Sequence, residues 1–155
     1  MNAQEIASLL SETFGERILE SKPDELNPWS SIESAAVLEI GRFLHDDSRL
    51  LMDHLELLGG VDYKDRLEVV YVVYSMEHRH RYTLKCPLAR ETPSVPSVES
   101  VWSVANWHER EAFDMFGIVF EGHSDLTRIL CPDDWEGYPL RKDYEFPKSY
   151  QDMPV

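Results

Sequence analysis

Cysteine is scarce in this chain: Cys86 and Cys131 are the only two, far apart and with no C-x-x-C pair. Neither a disulfide framework nor an iron–sulfur cluster, which usually takes four cysteine ligands, can be assembled from them, so two reduced structural thiols are expected. Positive charge is scarce too. The 15 Lys and Arg face 29 Asp and Glu, a net charge of −14, which repels phosphate backbones and anionic lipid surfaces and argues against nucleic-acid binding. No apolar run approaches the roughly 18 to 20 residues needed to span a bilayer. The opening MNAQEIASLLSETFGE is acidic rather than a basic leader with an apolar core, and a cytoplasmic location is expected from it. Also missing are G-x-G-x-x-G, G-x-x-x-x-G-K-[ST] and G-x-S-x-G, which removes the usual backbone cradles for nucleotides and the nucleophile elbow.

What is present is enough apolar material for a real core: 43% of 155 residues, with 11% aromatic. That suits one domain, or one domain plus an arm, and is unlike a disordered chain. Apolar residues at helical spacing predict a first helix over Ala3 to Phe14, ending near Gly15, followed by a strand over Arg17 to Ser21. A second helix is expected over Glu33 to Leu44, with Ser30 or Ser31 as caps and Asp46-Asp47-Ser48 as its exit. Leu50 to Tyr63 reads as strand or helix, and Gly59-Gly60 marks a break.

The β-branched and aromatic run Arg66 to Tyr74, followed after a short turn by Arg79 to Cys86, predicts a hairpin at the centre of a sheet. The period of two places Arg79, Arg81, Thr83 and Lys85 on one face, opposite His80, Tyr82, Leu84 and Cys86. Such a basic strip is either a solvated outer face or a docking strip for an acidic partner. Pro87 to Ser100, with three prolines, reads as a linker ending in a capping serine. From Cys131 onward the prolines and aromatics follow neither period, which predicts an irregular arm that docks in a partner's groove.

The densest chemistry lies in NWHEREAFDMFGIVFEGHSDLTRILCPDDWEGYPLRKD, Asn106 to Asp143. A helix over Val101 to Phe116, stopped by Gly117, places Val101, Val104, Ala105, His108, Ala112, Met115 and Phe116 in one stripe roughly 120° wide. Trp102 and Phe113 form a second strip, and Trp107 stands on a third side near Arg110 and Asp114. Glu109 and Glu111 point to nearly opposite sides and make a poor acid/base pair. Arg110 and Asp114, at i and i+4, can pair instead. These charges are expected to meet a partner protein rather than a substrate. The segment Phe116 to Phe120 predicts the helix turning directly into an extended strand that fixes where His123 and the downstream loop sit.

These same residues carry a resemblance: Glu109-Arg110-Glu111, Asp114-Met115-Phe116-Gly117-Ile118, Phe120, Gly122-His123, Asp125-Leu126, Arg128-Ile129-Leu130, Asp133-Asp134-Trp135-Glu136-Gly137 and Pro139-Leu140-Arg141-Lys142-Asp143-Tyr144. In that order they resemble the C subunit, the 30 kDa-type subunit, of respiratory complex I, the proton-translocating NADH:quinone oxidoreductase. Leu67 to Arg81 resembles the family's central strands. Two positions depart: Ser124 stands where the family usually has proline, and Thr127 where a basic residue or proline is usual.

The resemblance implies a peripheral-arm subunit docked on the large D subunit and on the B subunit that holds the terminal cluster, with the I subunit a possible neighbour, at the cytoplasmic face of the bacterial inner membrane. NADH, FMN, iron–sulfur clusters and quinone would belong to those partners and none to this chain, which would have no catalytic, cofactor or metal residues of its own. The interface residues it implies are Glu109, Arg110, Glu111, Asp114, His123, Arg128, Trp135, Arg141, Lys142 and Asp143. The same subunit type occurs in energy-converting hydrogenases and in the photosynthetic counterpart of complex I. A different class of reading is a self-contained metallohydrolase using His78, His80, His123 and Cys131, and a third is an adaptor unrelated to respiration.

The fold expected is α+β and two-layered: a mixed, mostly antiparallel sheet with helices on one face over residues 1–130, then an extended arm over 131–155.

Overall fold

The computed structural model describes residues 1–151 and 153–154. Two residues of the expected arm, Asp152 and Val155, lie outside the described residues.

Helix α1 spans Ala3–Phe14 as its periodicity predicts. A reciprocal cap fixes its start, since Asn2 Oδ1 accepts from the Glu5 N–H at 2.9 Å and Glu5 Oε2 accepts from the Asn2 N–H at 2.8 Å. Strands β1 (Ile18–Lys22) and β2 (Trp29–Ile32) follow, then a 3-10 turn and helix α2 (Val37–Asp46). The central strands are β3 (His54–Asp62), β4 (Arg66–Tyr74) and β5 (Arg81–Ala89). The sheet order is β1-β2-β5-β4-β3, antiparallel throughout except for the parallel pair of β2 with β5.

The side-chain period of two sorts this sheet into faces. Leu67, Val69, Tyr71 and Val73 of β4 pair across with Leu88, Cys86, Leu84 and Tyr82 of β5, and all eight are buried. Against them lie Ile6 and Leu10 of α1 and Val37, Ile40 and Leu44 of α2, in one continuous core. Helix α3 (Ala105–Phe116) adds Ala105 and Ala112. The two-layer α+β architecture is therefore as expected.

On the outer face, the strip expected to be basic is largely answered within the chain. Arg81 pairs with Glu56 at 2.6 Å, and the Lys85 ammonium lies 3.8 Å above the Trp29 ring. Arg79 does not belong to the strip, because it sits in the turn before β5 with φ 54°.

Three further expectations are corrected. Gly59 and Gly60 continue β3 rather than break it, and Gly60 is bare because the Phe116 ring lies there: an added Cβ would be 2.6 Å from its Cδ2. The proline-rich linker contains structure. Strand β5 runs on to Ala89, tolerating Pro87 because β2 pairs only with Thr83, Leu84 and Lys85, so the missing N–H faces no strand. Strand β6 (Ser94–Pro96) then pairs in parallel with β7 (Val119–Glu121). Finally, α3 begins at Ala105, not Val101. The segment before it turns back on Val98, whose carbonyl accepts from both Val101 and Trp102, while the Trp102 indole N–H donates to the Met52 carbonyl at 2.8 Å. Ser100 caps nothing. After β7 the chain is mostly turn and extended segment, closing with the short pair β8 (Ser149–Tyr150) and β9 (Met153–Pro154).

Candidate functional site

Two charges of the α3 signature, Glu109 and Asp114, are built into the interior. Glu109 is 0% exposed, with one carboxylate oxygen accepting from Ser97 Oγ at 2.6 Å and the other from the Val98 N–H at 2.8 Å. It thereby fastens α3 to the segment that follows β6. Burial raises its pKa above the usual carboxylate value, against the opposing pull of those two donors.

Next to it stands His123, delivered by the turn at Gly122 (φ 82°) after β7. Its Nδ1 accepts from the Asp125 N–H at 2.9 Å, which places the ring proton on Nε2, and Nε2 donates to the Asn106 carbonyl at 3.0 Å. Nε2 is also 3.7 Å from Glu99 and 3.9 Å from Glu109. Ser124 is one of the two departures from the family pattern. Its N–H and hydroxyl both bond Glu99, at 3.0 and 2.6 Å, and these bonds hold that carboxyl below its usual value.

Glu99, Glu109 and His123 are the one trio among the described residues whose ligand atoms all come within 4.8 Å of one another. Each is already committed: Glu109 accepts two hydrogen bonds, Glu99 two, and both imidazole nitrogens are engaged. A cation would have to break that network, so these donors fit a hydrogen-bonded fastener better than a metal centre. The set His78, His80, His123 and Cys131 does not assemble. His78 and His80 bond the Ser48 and Leu50 carbonyls at 3.0 and 2.8 Å, while Cys131 lies beside Asp114.

The expected i,i+4 pair of Arg110 with Asp114 is not formed. Asp114, 0% exposed, instead accepts from the N–H groups of Ile129, Leu130 and Cys131 at 3.0, 2.7 and 2.8 Å and meets Arg128 at 2.6 Å. Burial alone would raise its pKa; the three amides and the guanidinium outweigh it and hold the carboxyl below its ordinary value. Arg110 turns to the same loop, donating to the carbonyls of Thr127 and Arg128 and, at 3.1 Å, to Thr127 Oγ1. Thr127, the other departure, is thus used locally. Both charged residues act on the loop after β7 because it offers Asp114 several donors at once, more than one flexible side chain could.

That loop carries the arm. Arg128 also donates to the carbonyls of Trp135 and Gly137 at 2.9 and 3.0 Å, and Arg141 donates to the Phe116 carbonyl at 2.6 Å. Between them the Tyr138 ring has the Arg128 and Arg141 guanidiniums at 5.5 and 5.0 Å from its centroid. Further on, the Lys142 N–H donates to Asp62 Oδ2 at 2.8 Å, and Arg90 joins Asp62 and Asp143 at 2.6 and 2.7 Å. The sequence did not single out Asp62, Arg90 or Tyr138. Only Gly117, read as a helix stop, hinted at the seat Tyr138 takes. Of the ten residues expected at an interface, Glu109, Asp114 and the side chain of His123 are enclosed within this chain, Arg110, Arg128, Trp135 and Arg141 are half-buried in the loop and arm network, and Glu111, Lys142 and Asp143 are exposed.

Fold and signature together define an α+β domain whose motif charges brace one loop and the arm that follows it. The chain belongs to the respiratory-chain NADH dehydrogenase, 30 Kd subunit family, whose pattern it matches over residues 30–150. It is 45% identical over 150 residues to the C subunit of the NADH-quinone oxidoreductase of Chloroherpeton thalassium, covering 95% of this chain and 62% of that one. To the same subunit of Chlorobium phaeobacteroides it is 40% identical over 151 residues, covering 95% and 91%. The chain therefore spans less than two thirds of the first relative and most of the second. Among solved structures, a trypsin-resistant fragment (1-134) of Nqo5 superposes with TM-score 0.64 at 27% identity, covering 78% of this chain and 98% of the fragment. A chain of the membrane-bound sulfane sulfur reductase, an archaeal respiratory membrane complex, shares the fold with TM-score 0.73 at 22% identity, covering 92% and 85%.

Proposed function

We propose that this chain is a peripheral-arm subunit of a proton-translocating NADH:quinone oxidoreductase, scaffolding the quinone-reducing module by docking on its D and B subunits. NADH, FMN, the clusters and quinone are handled by those partners, and this chain has no catalytic site of its own. Its working place is the cytoplasmic face of the cell membrane; no helix among the described residues is long and apolar enough to cross it.

One observation carries this reading. Glu109, Arg110, Asp114, Arg128 and Arg141 are spent on fixing α3, the loop and the arm, while the same elements leave large apolar side chains uncovered: Trp107, Leu130, Leu140 and Phe146 are each more than half exposed, at 65, 63, 54 and 65%. A braced framework that presents apolar anchors is what docking requires, and residues 131–155 supply two of these four, Leu140 and Phe146. The exposed Glu111, Lys142 and Asp143 then set register with the partners.

The test is mild detergent extraction of membranes from cells carrying a tagged copy. Recovery of cluster-bearing and membrane subunits with NADH-driven quinone reduction supports the reading. Recovery with those subunits but with another electron donor would favour the equivalent subunit of a related enzyme, and recovery of the chain alone would refute both.

A further inference from the structure

We propose that the C-terminal arm holds a receptor for an arginine side chain of a partner protein, formed by Trp135, Tyr144 and Tyr150 with Asp134, Glu136 and Glu145. The inference rests on the reading of this chain as a subunit of an assembly, and names the chemistry of one contact that such an assembly makes.

The six residues line a concavity of about 420 Å³. Its walls are fixed from within the arm. The Tyr144 ring is seated on Gly137, where an added Cβ would lie 2.7 Å from Cε2, and meets Phe146 edge-on with centroids 5.0 Å apart. Trp135 leans on Tyr150 at 5.2 Å, and the Tyr150 hydroxyl donates to Asp134 Oδ1 at 2.6 Å. Trp135 is positioned in turn by Arg128, which bonds its carbonyl.

The electrostatics are one-sided. Three acidic and three aromatic residues line the space, and no Lys, Arg or His does. Among the described residues none of Asp134, Glu136 or Glu145 takes part in an ion pair, whereas Asp62, Asp114 and Asp143 each hold an arginine of this chain. The neighbouring cation Arg141 is bonded to the Phe116 carbonyl, and Lys148 is not part of the lining.

A planar guanidinium suits ring faces and carboxylates together, being weakly hydrated and able to stack and to make forked hydrogen bonds. In a chain read as a subunit of an assembly, the guanidinium that meets these rings and carboxylates is that of an arginine in a partner's polypeptide.

The experiment uses the assembly purified through a tagged copy of the full chain. Retention of the chain is followed as salt is raised, for the wild type and for Glu136→Gln/Glu145→Gln, which keeps side-chain shape and removes two rim charges. Release of the double variant at lower salt, with affinity weakened roughly five- to tenfold, a shallower salt dependence and unchanged melting, is expected. In parallel, a photo-crosslinking residue replacing Ser149 should attach to a partner peptide containing arginine. Equal retention of wild type and variant, or crosslinks confined to this chain or to segments without arginine, would overturn the pocket while leaving assembly intact. Failure of the wild type itself to co-purify would remove the assembly reading and the pocket with it.

Discussion

Asp114 on α3 and Arg128 on the loop after β7 meet at 2.6 Å with their side chains 0 and 15% exposed, and the same carboxylate gathers three consecutive backbone amides. Removing the carboxylate strands three N–H groups and a guanidinium together. Asp114→Ala should therefore lose about 3–5 kcal/mol in urea unfolding. Asp114→Asn should lose less, because one amide oxygen can still accept from the three N–H groups, though its NH₂ then faces Arg128. The sign with pH follows from the depressed carboxyl: its stabilisation is complete above the ordinary carboxylate value and disappears as pH falls through the folded one. In Asp114→Asn that part of the acid transition should be missing, and an unchanged acid limb would contradict the assignment.

Glu109 has the opposite sign. Burial raises its pKa, so its contribution is greatest below the ordinary carboxylate value and diminishes as pH rises through the folded one. Glu109→Gln preserves shape and can accept from the Val98 N–H while its NH₂ donates to Ser97 Oγ, so melting near neutral pH should stay within about 1 kcal/mol of wild type. Glu109→Ala opens a cavity and orphans a buried N–H, with an expected loss of about 2–4 kcal/mol. Equal losses for the two variants in thermal melts would show that the network matters less than the charge.

Gly117 has φ 72°, and an added Cβ would lie 2.4 Å from Cε2 of Tyr138. Gly117→Ala thus imposes left-handed strain of roughly 1 kcal/mol and also expels the ring that Arg128 and Arg141 flank. Local loosening of the arm is expected beyond the global loss. Trypsin should cut after Arg141 and Lys142 faster in this variant than in an equally destabilised core variant such as Val69→Ala, and equal cutting rates would argue that Tyr138 does not anchor the arm.

The pattern of agreement between sequence and structure has a physical cause. Helix α1 and the β4–β5 hairpin were legible because their periodicity and propensity agree with their burial. Helix α3 was legible in its body and its Gly117 stop, but not in its start, since Val101 to Val104 have helical spacing while forming a turn over Val98. Gly59-Gly60 resembled a break because a glycine gives no sign of the Phe116 ring that occupies its missing side chain. For the candidate site, residue identities were legible and pairings were not. The local rule predicted Arg110 with Asp114, yet the better partners of Asp114 arrive 14 to 17 residues later. Asp62 and Lys142 are separated by 80 residues, a distance at which periodicity carries no information.

That last contact yields a prediction about the arm alone. Asp62, with its side chain 2% exposed, joins the Lys64 and Lys142 amides to Arg90, which also reaches Asp143. The Arg90 guanidinium and the two amides hold the Asp62 carboxyl well below its ordinary value, so the clasp is fully formed above that value and opens only as pH falls through the folded one. Asp62→Asn keeps one acceptor but loses the charge that draws in Arg90, and should free residues 141–144 without unfolding the sheet, because Asp62 is the last residue of an edge strand. Hydrogen exchange at the Lys142 amide reads this directly. At neutral pH it should be slow in the wild type and at least about tenfold faster in the variant, while exchange within β4 and β5 is unchanged. Equal protection at Lys142 in both proteins would show that Tyr138 and Arg141 hold the arm without the clasp.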